Sequence, residues 1–130
     1  KANGAYAALV SGGFTAFTAE VARRLGFDET RANTLLVKAG VLLGSVADPI
    51  LGKEAKLQAL TEISARLGIT PGQALAVGDG ANDLPMLQAA GTGVALHAKP
   101  RVQAECAVRV NHGDLTALLY LQGYAREEFA

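Results

Sequence analysis

Short apolar runs alternate with helical patterns along this 130-residue chain, and this alternation limits the possible folds more than any other feature. Residues 6–10, 74–77, 93–96 and 107–110 are such runs, and each precedes a segment with helical apolar spacing. Runs of this length are typical of strands buried on both faces of a parallel sheet. Strands separated by helices imply right-handed crossovers, so the sequence predicts an α/β fold with a Rossmann-like parallel sheet flanked by helices.

The helices carry clear boundary signals. The first is predicted to open at Ser11-Gly12-Gly13 and to end at Gly26, because glycine accepts the left-handed conformation of a helix end. Its apolar residues step by three and four, which predicts that they face a core: Phe14, Phe17, Val21 and Leu25. A second helix is predicted from Lys53 to Gly68, with its apolar face at Leu57, Leu60, Ile63 and Leu67.

Residues 35–46 interrupt the alternation. Two apolar segments joined by Lys38-Ala39-Gly40 predict a small β-hairpin insertion near 35–46, with glycine at a position of positive φ. Further along, Thr70-Pro71 is typical of a capped helical turn, Pro85 and Pro100 are tolerated in first helical turns, and Asp114 is expected to cap the last helix. Residues 124–130 are predicted to form a frayed end.

Composition excludes several classes of function. Twelve basic and twelve acidic residues balance, so nothing indicates a nucleic-acid or acidic-membrane partner. No apolar run approaches the roughly 18 residues of a membrane span. The single Cys106 excludes an internal disulfide and favours a reducing compartment, here expected to be the cytoplasm.

An acidic, glycine-rich loop follows the apolar run 74–77, with the sequence Gly78-Asp79-Gly80-Ala81-Asn82-Asp83. In a parallel sheet, ligands bind beyond the carboxyl ends of strands, where this loop is expected to lie. Mg²⁺ usually takes one or two protein carboxylates together with water and phosphate oxygens, so Asp79 and Asp83 are candidate ligands. The alternative is that Asn82 or Asp83 only caps the next helix and Asp79 is a solvated turn residue.

Two further features suit a phosphate. Ser11-Gly12-Gly13 offers a hydroxyl and backbone amides at a predicted helix start, where unpaired N–H groups attract anions, although such a motif is also ordinary turn chemistry. Lys53 and Lys56 open the second helix, and a lysine there neutralises a transferring phosphoryl group or simply lies in solvent.

Taken in order, Ser11-Gly12-Gly13-Phe14, a helix-opening lysine and the loop 78–83 resemble motifs two, three and four of the haloacid dehalogenase superfamily, and within it the phosphoserine phosphatases. Residues 94–100 and 111–115 also fit that family. The resemblance implies a haloacid dehalogenase-like core domain over residues 1–130 and Mg²⁺-dependent hydrolysis of a small phosphorylated metabolite, phosphoserine, the last step of serine biosynthesis. It also implies an aspartyl-phosphate intermediate.

The resemblance assigns roles by position. Ser11 and Gly12 would bind the substrate phosphate, and Asn82 would contact the phosphate or the substrate. Asp79 would ligate Mg²⁺, and Asp83 would orient the metal shell directly or through water. Lys56 is preferred over Lys53 as the phosphate-binding lysine, because Ala55-Lys56-Leu57-Gln58-Ala59-Leu60 fits the family's helix start.

The family's first motif, Asp-x-Asp-x-(Thr/Val), which supplies the nucleophile, is not found in this sequence, and no Asp precedes Asp28. The first strand and the helical cap are also missing, so we expect the carboxyl-terminal part of an enzyme, inactive alone, with two unpaired inner strand edges. The missing amino-terminal segment or a second copy would complete the sheet. Two alternatives are a non-catalytic phosphate- or metal-binding module and a segment-exchanged assembly partner.

Overall fold

The computed structural model describes residues 1–129, which divide into a unit from Lys1 to Ala59 and a unit from Leu60 onward. The strands are β1 (Ala8–Phe14), β2 (Glu29–Asn33), β3 (Leu35–Lys38), β4 (Val41–Val46), β5 (Leu75–Gly78), β6 (Thr92–Leu96) and β7 (Val108–Val110). The helices are α1 (Thr15–Leu25), α2 (Ala55–Arg66), α3 (Leu84–Ala89), α4 (Pro100–Glu105) and α5 (Ala117–Leu121). Short 3₁₀ turns occupy Pro71–Gln73, Ala81–Asp83 and Arg126–Glu128.

The first unit is built on the parallel pair of β1 and β2. The register slips between Val10 and Phe14, so the stretch Ser11–Gly13 lies inside β1 as an irregular segment. The prediction that Ser11-Gly12-Gly13 opens the helix directly is therefore wrong, because the extended backbone continues to Phe14 and α1 begins at Thr15. Strand β2 was not predicted, since its sequence Glu-Thr-Arg-Ala-Asn lacks an apolar run.

Helix α1 ends as predicted, with Gly26 in the left-handed conformation at φ 73°. Its buried face is not the predicted one. Thr18 and Ala22 are buried, whereas Phe17 and Leu25 are each 71% exposed. A two-stranded sheet is only about 10 Å wide, about as wide as a single helix, so within this unit it covers one narrow face of α1.

The predicted hairpin is present, with β3 and β4 paired antiparallel around a two-residue turn. Both turn residues, Ala39 and Gly40, have positive φ, at 50° and 79°. Turns with positive φ at both central residues match the twist of the paired strands.

Helix α2 begins at Ala55, two residues after the predicted start at Lys53. Ile63 lies on its buried face, but Leu67 lies beyond the helix and is 38% exposed, so the prediction that Leu67 belongs to this apolar face is wrong. Gly68 then takes positive φ, at 71°, as expected where a helix stops.

The second unit contains a three-stranded parallel sheet in the order β5-β6-β7. Its core packs α3 and α4 against this sheet through Ala76, Leu84, Leu87, Ala95, Ala98, Val102 and Cys106. Pro85 and Pro100 lie in first helical turns, and Thr70 caps the turn at Pro71–Gln73, as predicted. A side chain at Gly93 would collide with the Leu87 carbonyl, so β6 packs so closely against α3 here that only glycine fits.

The carboxyl terminus is more ordered than predicted. Asp114 accepts hydrogen bonds from Thr116, just before α5. Residues Arg126–Glu128 form a 3₁₀ turn, and the rings of Tyr120 and Phe129 lie 4.9 Å apart, so the prediction of a frayed end is wrong as far as residue 129. Ala130, the last residue of that predicted segment, lies outside the described residues.

Parallel strands flanked by helices confirm the α/β fold class. Among residues 1–129, β1 has β2 as its only strand neighbour and β5 has only β6, so each keeps one edge without a strand partner. None of the described helices is long and apolar enough to cross a membrane.

Candidate functional site

The acidic loop after β5 is organised by Asp83. This side chain is only 1% exposed, and its Oδ2 accepts hydrogen bonds from the backbone N–H groups of Asp79 and Gly80, each at 3.0 Å. Two amides that would otherwise lack partners are thereby satisfied by one buried carboxylate. The alternative is that this residue only caps the next helix. Asp83 is the N-cap residue of α3 but makes no side-chain capping bond there, and its carboxylate instead shapes the loop that precedes it.

Two glycines make this arrangement possible. A Cβ atom at Gly78 would lie 2.5 Å from Cβ and Cγ of Asp83, and one at Gly80 would lie 2.5 Å from Oδ1 of Asn82. Real Cβ atoms do not approach other heavy atoms so closely, so a side chain at Gly78 would force the buried Asp83 to move, and one at Gly80 would displace the exposed Asn82 amide. The glycines predicted to let the loop fold tightly do so by making room for the two polar side chains.

The donor set of this loop suits Mg²⁺. Asp79 and Asn82 are exposed beyond the carboxyl end of β5, with hard oxygen atoms available at the loop surface. Within residues 1–129 no cluster of three or more His, Cys, Asp or Glu side chains could hold a metal by itself. Mg²⁺ commonly keeps several waters and binds through one or two carboxylates, so the loop fits such an ion through Asp79, and Oδ2 of Asp83 is already engaged.

Ser11 and Gly12 belong to the first unit, in the irregular segment of β1. The Ser11 Oγ accepts a hydrogen bond from the Gly13 N–H at 3.0 Å, so this hydroxyl folds the segment back on itself. Phe14 is the N-cap of α1 and its side chain makes no capping hydrogen bond. Ser11 therefore lies three residues before the N-cap of α1, not at the helix start itself, and its phosphate-binding role stays a prediction.

Asn33 is a residue of this region that the sequence reading missed. It is 7% exposed, its Nδ2 donates to the Gly12 carbonyl at 2.9 Å, and its Oδ1 accepts from the Leu51 N–H at 2.7 Å. A buried amide that uses both ends in this way joins two backbone segments. Asn33 therefore ties the Ser11–Gly13 segment to the chain that enters α2. No pattern in the polar sequence of β2 distinguishes it.

The two candidate lysines differ in position. Lys56 is half-buried on the first turn of α2, whereas Lys53 is exposed and precedes the helix. A partly buried lysine held by a helix has a more restricted amino group than one in an exposed turn. The preference for Lys56 over Lys53 as the phosphate-binding lysine stays a prediction.

The other reactive side chains have structural surroundings. The thiol of Cys106 is buried, and burial together with the nearby Glu105 raises its pKa. It therefore behaves as a small core residue, as predicted. His97 bonds the Gly113 carbonyl through Nε2 at 2.8 Å, which confirms a local hydrogen-bonding role, and His112 is exposed.

Comparison with known proteins shows which family this sequence belongs to. Residues 1–88 match the model of the haloacid dehalogenase-like hydrolases. The chain is 50% identical over 125 residues to a phosphoserine phosphatase of Albidiferax ferrireducens, covering 93% of this chain and 53% of the relative. It is also 50% identical over 117 residues to the phosphoserine phosphatase of Polaromonas sp., covering 87% of this chain and 50% of the relative. The chain thus spans about half the length of these curated relatives.

Solved structures agree. A haloacid dehalogenase family hydrolase from Salmonella enterica serovar Typhi superposes with a TM-score of 0.87 at 38% identity, covering 98% of this chain and 43% of that one. A substrate-bound phosphoserine phosphatase superposes with a TM-score of 0.85 at 37% identity, covering 92% of this chain and 57% of that one.

Proposed function

This chain belongs to the haloacid dehalogenase-like hydrolases, and from that premise we propose that it provides the metal- and phosphate-binding part of a Mg²⁺-dependent phosphomonoesterase acting on L-phosphoserine. The observation that carries the proposal is the loop after β5, where a buried Asp83 holds the backbone and leaves Asp79 exposed. The similarity to phosphoserine phosphatases supports the choice of substrate. The product would be L-serine, so the reaction would be the last step of serine biosynthesis.

The residues divide into two groups with different tasks. In the first unit, Ser11, Gly12 and Lys56 would bind the phosphate, the lysine by offsetting the charge of the transferring group. In the second unit, Asp79 and Asp83 would hold Mg²⁺, Asp83 directly or through water. Asn82 would contact the phosphate or the substrate. When bound, Mg²⁺ supplies further neutralisation of the phosphoryl oxygens.

The attacking carboxylate is proposed to come from outside these residues, because the sequence has no Asp-x-Asp motif ahead of Ser11. The phosphoryl group would pass from the ester oxygen of the substrate to that carboxylate and then to water, releasing serine and inorganic phosphate. The isolated chain is accordingly proposed to be inactive. We also propose a reducing cytoplasmic compartment, which is favoured by a sequence with the single cysteine Cys106 and therefore no internal disulfide.

The test is phosphate release from L-phosphoserine with Mg²⁺, by this chain alone and by this chain co-expressed with the part of the Albidiferax relative that it does not match. Activity is expected only in the co-expressed protein, and Asp79→Asn should reduce it at least about 100-fold. Glu105→Gln, a matched loss of an exposed carboxylate elsewhere in the same unit, should leave it unchanged. Absence of phosphate release from the co-expressed protein, or full activity of Asp79→Asn, would refute the proposal.

The open edges of β1 and β5 favour a second candidate, in which a second copy of the chain exchanges a segment to complete the sheet. Light scattering of the purified chain tests it: a dimer that dissociates when the part of the Albidiferax relative that this chain does not match is supplied supports exchange. A monomer at all concentrations contradicts it.

A further inference from the structure

Three loops lie at the carboxyl edge of the second unit's sheet, and hydrogen bonds connect the middle loop to each of its neighbours. They follow β5 at Asp79, β6 at residues 97–99 and β7 at residues 111–114. Because the strands are parallel, these loops share one edge. The middle loop contacts both of the others, so its conformation is transmitted to the loop that carries Asp79.

His97 is the anchor of the middle loop. Its backbone N–H donates to the Val110 carbonyl at 2.8 Å, and its ring Nε2 lies 2.8 Å from the Gly113 carbonyl. Since a carbonyl oxygen only accepts, Nε2 must carry the proton in this contact. One bond runs to the last residue of β7 and the other to the loop after it, so His97 ties the middle loop both to the end of β7 and to the loop that follows.

The backbone of His97 is held in an uncommon conformation. Its φ is 44°, in the left-handed region that non-glycine residues rarely adopt. Such a conformation persists where the surrounding contacts overdetermine it, and these positions are concentrated near functional sites. Here the hydrogen bonds to Val110 in β7 and to Gly113 in the loop after it supply those contacts.

Two residues further on, the same loop reaches the metal loop. The Lys99 N–H donates to the carbonyl of Asp79 at 3.2 Å. Between these residues the Ala98 carbonyl accepts from Nε2 of Gln103 at 2.6 Å, so the segment is also held from α4. The path from the His97 ring to the Asp79 backbone is therefore continuous.

We propose that His97 is a positioning residue for Asp79, which sets the Mg²⁺ affinity of the acidic loop by holding the Lys99 amide against the Asp79 carbonyl. The effect on Mg²⁺ affinity rests on the proposed function. The effect of His97 on the Lys99–Asp79 backbone hydrogen bond does not. Loss of the ring donor should make the middle loop more mobile. The Asp79 side chain would then be held less firmly in its orientation. Partners that orient a metal ligand usually change metal affinity by about 10–100-fold, and a partner acting through an intervening loop is expected to change it by about 3–10-fold.

The test uses two variants that lose an imidazole, His97→Asn and His112→Asn. Asparagine accepts the left-handed conformation well, so the first removes the ring donor without adding backbone strain. The second removes the exposed histidine of the neighbouring loop and is the matched control. His97→Gln, whose Nε2 can also donate, tests for rescue.

Amide hydrogen exchange by NMR needs neither metal nor activity. In His97→Asn the Lys99 amide should exchange about tenfold faster while the core amides of β6 keep their rates, and His112→Asn should match the original chain. Unchanged exchange at Lys99, or equal acceleration throughout the unit, would overturn the inference, the latter by showing a general loss of stability.

Mg²⁺ titration followed through the Gly80 amide is the second measurement. A dissociation constant raised about 3–10-fold in His97→Asn, unchanged in His112→Asn and partly restored in His97→Gln supports the positioning role. Equal affinity of His97→Asn and the original chain overturns it. If the original chain binds no Mg²⁺, the metal assignment and the affinity part of the inference both fail, and the exchange data alone decide the backbone part.

Discussion

Replacing Asp83 with alanine should destabilise the fold far more than replacing Asp79. The Asp83 carboxylate is 1% exposed and accepts two backbone hydrogen bonds, each of 3.0 Å. Hydrogen bonds to charged groups contribute about 1.5–3 kcal/mol each, so Asp83→Ala should lower the free energy of unfolding by about 3–5 kcal/mol. Asp79→Ala changes an exposed side chain and should stay within about 0.5 kcal/mol. Asp83→Asn keeps one carbonyl oxygen for the two amides and should cost about 1–2 kcal/mol.

Urea unfolding followed by circular dichroism measures these differences, and amide exchange locates them. In Asp83→Ala the amides of Asp79 and Gly80 should lose their protection first, because their acceptor is gone. The reasoning is refuted if Asp83→Ala unfolds within about 1 kcal/mol of the original chain, or if Asp79→Ala costs as much. Either result would mean that the buried carboxylate does not hold the loop.

Three further changes test other parts of the structure. Gly78→Ala places a Cβ 2.5 Å from Asp83 and should cost about 1–3 kcal/mol in urea unfolding, whereas Gly12→Ala meets no atom within 4 Å and should cost less than half as much; equal costs would contradict the packing argument. Asn33→Ala removes the amide that joins two backbone segments and should cost about 2–4 kcal/mol; a thermal midpoint unchanged from the original chain would rule this out. Asp28→Asn should make the free energy of unfolding less dependent on pH in the acid range. Hydrogen bonds from a backbone amide and a lysine lower the pKa of Asp28 below its ordinary 3.8, so its stabilisation is present above pH 3.8 and is lost as the pH falls through the lower folded value; identical acid limbs in urea titrations would contradict this.

The strands and helices of the second unit could be predicted because each carries a local signal. The apolar run before Gly78, the prolines of α3 and α4, and the turn that begins after Thr70 all depend on residues close to their own position. Asp114 bonds Thr116 ahead of the last helix, but the N-cap of α5 is Thr116. The acidic loop was predicted for the same reason, since glycine and carboxylate spacing is visible in the sequence. What could not be predicted is which carboxylate shapes the loop, because burial depends on packing from elsewhere.

The first unit shows where local patterns stop being informative. The stripe at Phe17, Val21 and Leu25 has ideal helical spacing, yet the buried residues of α1 are Thr18 and Ala22, on the adjoining side of the helix. A periodic pattern identifies a face that gains from burial, but which face is covered depends on what packs against the helix, and that is not visible in the helix's own sequence. Strand β2 escaped prediction because it is held by pairing with β1 rather than by apolar residues of its own.

The closure of the acidic loop by Asp83 also bears on how tightly a ligand can bind there. Ordering a residue's backbone costs about 1–2 kcal/mol. If a loop is mobile before binding, this cost makes the binding free energy of every ligand less favourable. Here the amides of Asp79 and Gly80 are already fixed by the protein's own carboxylate, so folding supplies the order in advance. A cation bound at this loop would therefore lose little of its binding free energy to ordering of the Asp79 and Gly80 backbone.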